Sequence, residues 1–204
     1  MELVEDSLRK SIVMTALDVS AFTNKISDAE FEKLCADNPE TKFETTSTGR
    51  LIVMPPTGSE SGRKNSSLLA QVWNWNDRTK LGVVFDSSTG FKLANGATKS
   101  PDVSWVKKQS WNSLSKQQQQ KFAPIDPDFV IELMSFTDDL RELRQKMVEY
   151  MDCGVRLGWL INPEDKQVEI YRNGREREIL DNPQSLSGEE VLPNLTVNLT
   201  EILD

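Results

Sequence analysis

Two spacings of apolar residues alternate along the chain, and the switches between them mark its elements. Ser27-Asp28-Ala29-Glu30 spells a capping box, in which the serine oxygen accepts a free helix N–H and the glutamate reaches back to the cap. The helix it opens runs to about Ala36 and ends before Asn38-Pro39, because the residue ahead of a proline disfavours helical geometry. Phe43–Met54 reads as a hairpin, with Ser47-Thr48-Gly49 as the turn and Leu51-Ile52-Val53-Met54 as the buried return strand. Beyond Pro55-Pro56, the segment from Arg63 sets Leu68, Leu69, Val72 and Trp75 at helical spacing, and Gly82 ends it. Val83–Phe85, Phe91–Leu93 and Pro101–Val106 are short strands. Residues 107–128 form a polar excursion around Gln117–Gln120 and read as a surface loop with one or two helical turns.

Phe129–Met134 has the look of a central strand. From Asp138 to Asp152 the period becomes helical. Leu140, Leu143, Met147, Tyr150 and Met151 line one stripe, Gly154 is the stop, and Ser135–Asp139 supplies the N-cap. Leu157–Asn162 and Gln167–Arg172 are strands, and Asn173-Gly174 is a tight turn into Glu176–Leu180. Apolar positions alternate again from Val191 to Leu203. Residues 1–26 carry no clear pattern and read as an arm ahead of a single domain spanning 27–204. The element order is mixed α/β without a regular βαβα series, which argues against a dinucleotide-binding fold. No glycine-rich phosphate loop occurs.

A chain of 204 residues is long enough to bury one sizeable core, and five Trp and eight Phe suit a folded protein; all five Trp read as core. No apolar run reaches the ~18 residues of a membrane span. The acidic N-terminus lacks the features of a signal peptide, so a cytoplasmic location is expected. Cys35 and Cys153 cannot build a disulfide framework and read as reduced thiols in or near the core.

The absence of histidine changes the picture most. It removes Ser–His and Cys–His nucleophiles and histidine-bound zinc. Proton transfer then falls to Asp, Glu, Lys, Tyr or Cys. A metal site falls to carboxylates and carbonyls, which suit Mg²⁺ or Mn²⁺. The net charge of −8 argues against general nucleic-acid binding through phosphate contacts, but not against a local basic groove.

Three residues carry candidate chemistry. Glu132 interrupts a strand that is otherwise apolar on both faces, and a carboxylate there must be paired, hydrogen-bonded or metal-bound. Asp102 follows Pro101 at the start of a strand that can neighbour it. Lys146 lies beside Leu143 and Tyr150 on the margin of the helical stripe, where its methylenes can follow the core and aim the amine back at the sheet. Two carboxylates with a cation and a lysine suit metal-assisted phosphodiester hydrolysis, with a backbone carbonyl near Leu133 or Met134 as a further ligand. As a donor and not a ligand, Lys146 is expected to leave fold and metal binding nearly intact when removed. The plain alternatives are a turn cap at Asp102 and a structural ion pair between Glu132 and Lys146.

The segments MPPTGSESGRKNSSLLAQVWNWN, LGVVFDSSTGFKL, SPDVSWV, PDFVIELMS, KMVEYMDCGVRLGWLINP and QVEIYR resemble the Uma-two (Uma2) family, restriction-endonuclease-like proteins of the PD-(D/E)XK nuclease superfamily that are abundant in cyanobacteria. The resemblance spans about Ser27 to Leu203. It implies a mixed central sheet flanked by helices, with the superfamily's Pro-Asp on Pro101-Asp102 and its second acid on Glu132. The superfamily's lysine usually stands two residues after that acid, where this chain has Met134; the family pattern moves it onto the next helix, matching Lys146. Ser67, after Asn65, stands about where an acid is common on the first core helix, and Ser135-Phe136 where Ser-Pro is usual.

Two functions follow from this reading. One is a Mg²⁺- or Mn²⁺-dependent DNA endonuclease, with a homodimer as a plausible way to reach both strands. The other is a non-catalytic relative that keeps the scaffold as an interaction or regulatory module, which the acidic charge, Met134 and Ser67 favour, while the intact Asp102, Glu132 and Lys146 favour the nuclease.

Overall fold

In the computed structural model, which describes residues 26–204, most of the expected strands assemble into one six-stranded sheet. The arm expected over residues 1–26 lies almost entirely outside the described residues. The chain runs through α1 (Asp28–Asp37), β1 (Lys42–Thr45), β2 (Leu51–Met54), α2 (Ser59–Thr79), β3 (Gly82–Asp86), β4 (Phe91–Lys92), β5 (Thr98–Lys99) and β6 (Val103–Lys107). Two short helices, α3 (Lys108–Ser113) and α4 (Lys116–Gln119), occupy the polar excursion ahead of β7 (Phe129–Leu133). Then come α5 (Leu140–Asp152), β8 (Leu157–Asn162), β9 (Gln167–Arg172), β10 (Glu178–Asp181), β11 (Ser185–Ser187), β12 (Thr196–Asn198) and α6 (Thr200–Leu203).

The large sheet is ordered β10-β9-β8-β7-β6-β3. Its pairs are antiparallel except β7 with β8, and α5 makes the crossover that a parallel pair requires. Every residue of β7 and β8 is buried, as continuous apolar runs demand. On one face Phe129, Ile131, Trp159 and Ile161 pack with Leu68, Val72 and Trp75 of α2 and with the C-terminal segment. On the other, Val130, Leu160 and Tyr171 pack with Met147 and Tyr150 of α5. Each such large side chain contributes about 1.5–3 kcal/mol by leaving water. Gly158 of β8 lets α5 lie close: a Cβ there would stand 2.5 Å from Met147 Cε and 3.2 Å from Met151 Cε. A second sheet, β2-β1-β5-β4, is antiparallel throughout.

Several local features depart from the sequence pattern. α2 opens at Ser59, ahead of its first apolar residue, because exposed polar residues fill its first turn. The C-terminal alternation is not one strand: β12 pairs with β11 through Val197 and Leu186, and the chain then turns into α6. Trp73 is 54% exposed, not core, since it lies about 100° around α2 from buried Val72. Trp75, Trp105 and Trp159 are buried and Trp111 is half-buried. Cys35 is half-buried, Cys153 is buried, and both are free. Among the described residues, no helix is long and apolar enough to cross a membrane.

Candidate active site

Asp102 immediately precedes β6. The antiparallel register sets Val103 against Ile131, so its continuation sets Asp102 across from Glu132, and residues opposed in this way share a face. Asp102 Oδ2 accepts the Leu133 N–H at 2.8 Å, which clips the segment to β7. From α5, Lys146 Nζ reaches Glu132 Oε1 at 2.9 Å, and the Tyr150 hydroxyl donates to the same oxygen at 2.8 Å. The i,i+4 spacing sets both side chains over one strand position. Asp102, Glu132 and Lys146 therefore meet in a single cleft of about 1060 Å³.

The sequence pattern does not mark Glu44, Lys99 or the polar end of Tyr150. Glu44 of β1 is 2% exposed, and its Oε1 lies 3.0 Å from Lys146 Nζ and accepts the Ser100 N–H at 2.9 Å. Lys99 Nζ stands 3.8 Å from Glu44 Oε2 and 3.2 Å from Glu149 of α5. In β1, Glu44 follows Phe43 and reads as the wet side of a hairpin; docking of the small sheet against α5 turns that side into a cleft wall. Tyr150 reads as one more member of an apolar stripe, and its ring is indeed buried.

Burial pushes the Glu132 carboxyl up to about 7, with Asp102 and Glu44 adding to the rise and Lys146 opposing it. Burial also raises Asp102, against the Leu133 N–H and Lys146. Glu44 is buried too, yet Lys146, Lys99 and the Ser100 N–H together hold it below the usual carboxylate range. Burial pulls Lys146 down, but Glu132 and Glu44 outweigh it and keep the ammonium charged. Burial and the surrounding carboxylates raise the Tyr150 hydroxyl well above its ordinary range, so it stays a proton donor. Lys146 is thus shared by two buried carboxylates. Its removal would leave both acids without their common cation.

The residues present fit a divalent cation. Four carboxyl groups, those of Asp102, Glu132, Glu44 and Glu149, face the two ammonium groups of Lys146 and Lys99, so the acids exceed the ammonium groups by two once all are ionised, as a bound cation would favour. Adding Lys42 and Asp138, which act on Asp102 with opposite sign, leaves that balance unchanged. Asp102 Oδ1 and Glu132 Oε2 accept no hydrogen bond from the described residues, so each acid retains an oxygen for a ligand. Among the described residues, no third His, Cys, Asp or Glu joins them in a metal-binding group. The remaining ligands would be carbonyl or water oxygens, as a hard cation accepts.

The Uma2 family model, described as "Putative restriction endonuclease", matches residues 28–200. Among solved structures, the chain is similar to one from Anabaena variabilis ATCC 29413 described as "a putative nuclease belonging to DUF820". The two share 18% identity at a TM-score of 0.68, covering 80% of this chain and 90% of that one. The likeness shows the fold, a restriction-endonuclease-like core with a mixed sheet between helices. No curated protein matches. The family match runs from the first residue of α1 to the first of α6 and takes in Asp102, Glu132 and Lys146, so the chain belongs to the Uma2 family.

Proposed function

We propose that the protein is a metal-dependent DNA endonuclease formed by one restriction-endonuclease-like domain. The observation that carries this reading is the meeting of Lys146 Nζ with Glu132 Oε1 at 2.9 Å, across from Asp102. Asp102 and Glu132 would hold Mg²⁺ or Mn²⁺ through their free oxygens. The cation, when bound, supplies a water of lowered pKa and polarises the phosphate. Lys146 donates to a phosphate oxygen and stabilises the charge that builds there, while Tyr150 keeps Glu132 aimed. Acidic residues outnumber basic ones along the cleft, so a polyanion approaches productively only with cations present.

The test is nicking of supercoiled plasmid by purified protein in Mg²⁺, Mn²⁺ or chelator, with Asp102→Asn as control. Cleavage that needs the metal and Asp102 supports the reading. A folded protein that never nicks DNA assigns the non-catalytic role instead.

A further inference from the structure

Glu44 belongs to neither segment that brings the acids and the amine together. It sits on β1 of the smaller sheet, yet it reaches Lys146 as closely as Glu132 does, at 3.0 Å against 2.9 Å. Its carboxylate is fixed on every side. The Ser100 N–H bonds the oxygen that Lys146 meets, and Lys99 faces the other. Lys99 is held in turn by Glu149, and Glu149 Oε1 accepts from Asn95 Nδ2 at 2.8 Å. A group with so many fixed partners is preorganised, and a buried network of this kind acts as a unit.

A divalent cation on Glu132 repels an ammonium that shares the same carboxylate. Lys146 then stays in the cleft only if a second anion retains it. We infer that Glu44 is the positioning residue for Lys146: it holds the ammonium beside the scissile phosphate once Glu132 is committed to the cation. This rests on the nuclease reading above and adds a residue from a different sheet to the working site.

The experiment compares wild type, Glu44→Gln, Lys146→Met and the double variant. Glutamine keeps the size and the acceptor for the Ser100 N–H and removes the charge. Single-turnover plasmid cleavage at saturating Mn²⁺ should fall on the order of 10–100-fold in Glu44→Gln. Its Mn²⁺ affinity should stay within about threefold of wild type, because Glu44 is not a ligand. In the Lys146→Met background the Glu44 change should add nothing, since both act through one amine. Equal losses in both backgrounds, or loss of Mn²⁺ affinity in step with the rate, overturns the inference.

A crystal of wild-type protein with Mn²⁺ gives a readout that needs no variant to fold. Lys146 Nζ should remain within hydrogen-bond reach of Glu44, and an amine found elsewhere overturns the inference as well. Wild-type protein that neither cuts DNA nor binds Mn²⁺ refutes the nuclease reading and this inference with it. Cleavage with additive losses refutes the role of Glu44 alone.

Discussion

Replacing Lys146 with methionine keeps a side chain of similar length and removes only the ammonium. Glu132 and Glu44, whose side chains are 5% and 3% exposed, then lose the cation that met both. Removing one partner of a buried ion pair costs about 3–5 kcal/mol, because it leaves an uncompensated buried charge. The Tyr150 hydroxyl, the Ser100 N–H and Lys99 still serve the two acids, so the lower end, about 3 kcal/mol, applies. For a chain of this size each kcal/mol moves the melting temperature by about 2–4 °C, giving a fall of about 6–12 °C. A cation at a hundred times its Kd stabilises by about 2.7 kcal/mol, and in the variant it no longer competes with an ammonium for Glu132. Calorimetric melting with and without Mn²⁺ is the assay. The variant should melt lower without metal, gain more from Mn²⁺ than wild type does, and lose about 10²–10³-fold in cleavage. Melting within about 2 °C of wild type, or a smaller Mn²⁺ gain, would refute the account of one ammonium balancing two buried acids.

Asp102→Asn retains an oxygen for the Leu133 N–H and removes a like charge that raises Glu132. It should therefore melt at or above wild type without metal while Mn²⁺ binding by calorimetry weakens at least tenfold, roughly the loss of one charged ligand. Glu169 is buried, but bonds from Arg144 at 2.6 and 2.8 Å, from Tyr171 and from Arg177 hold it below the ordinary carboxyl value of 4.5. A lowered folded pKa contributes stability that is complete above the unfolded value and fades as pH falls through the folded one. The melting difference between wild type and Arg144→Met should accordingly be flat from neutral pH down to about 5 and shrink in more acidic buffer. A difference that grows on acidification contradicts this. At Gly82 a Cβ would land on the Val106 carbonyl oxygen and the Trp105 indole, where the backbone cannot yield. Gly82→Ala should cost at least about 1–3 kcal/mol by denaturant melts, and a neutral result contradicts the packing at that corner.

Glu132 and Lys146 were legible from the local periodicity, and Asp102 from its Pro-Asp pair at a strand entry. Glu132 violates a strand that is apolar on both faces, and its alternation fixes which neighbours it meets. Lys146 stands one helical turn from Tyr150, so the period alone aims it at the sheet. Glu44 breaks no local rule, because a polar residue in a short hairpin strand is ordinary. Its meaning arises only when β1 docks near α5, and that contact joins residues 102 positions apart. β5 was illegible for a related reason. Two residues, Thr98 and Lys99, carry no periodicity, and they become a strand only through pairing with β1 and β4. Trp73 shows the reverse error: bulk suggests burial, while its angle on the helix decides otherwise.

Carrying the amine on a helix ties its place to the gap between α5 and the sheet. A lysine two residues beyond its acid on one strand is fixed by the backbone that bears both. Here the gap is set by a missing side chain, because α5 rests its methionines where a Cβ of Gly158 would be. Added volume at position 158 therefore acts on the packing of α5 against the sheet. A graded series of small residues there would press on the methionine ends first and on the helix only as far as those side chains fail to yield, without altering any charge in the cleft. Reaction rates respond steeply to such displacements, about a hundredfold for an ångström of misplacement. A glycine with no functional group thus bears on where the amine sits, and its neighbours Met147 and Met151, being flexible, determine how much of an added methyl is felt at Lys146.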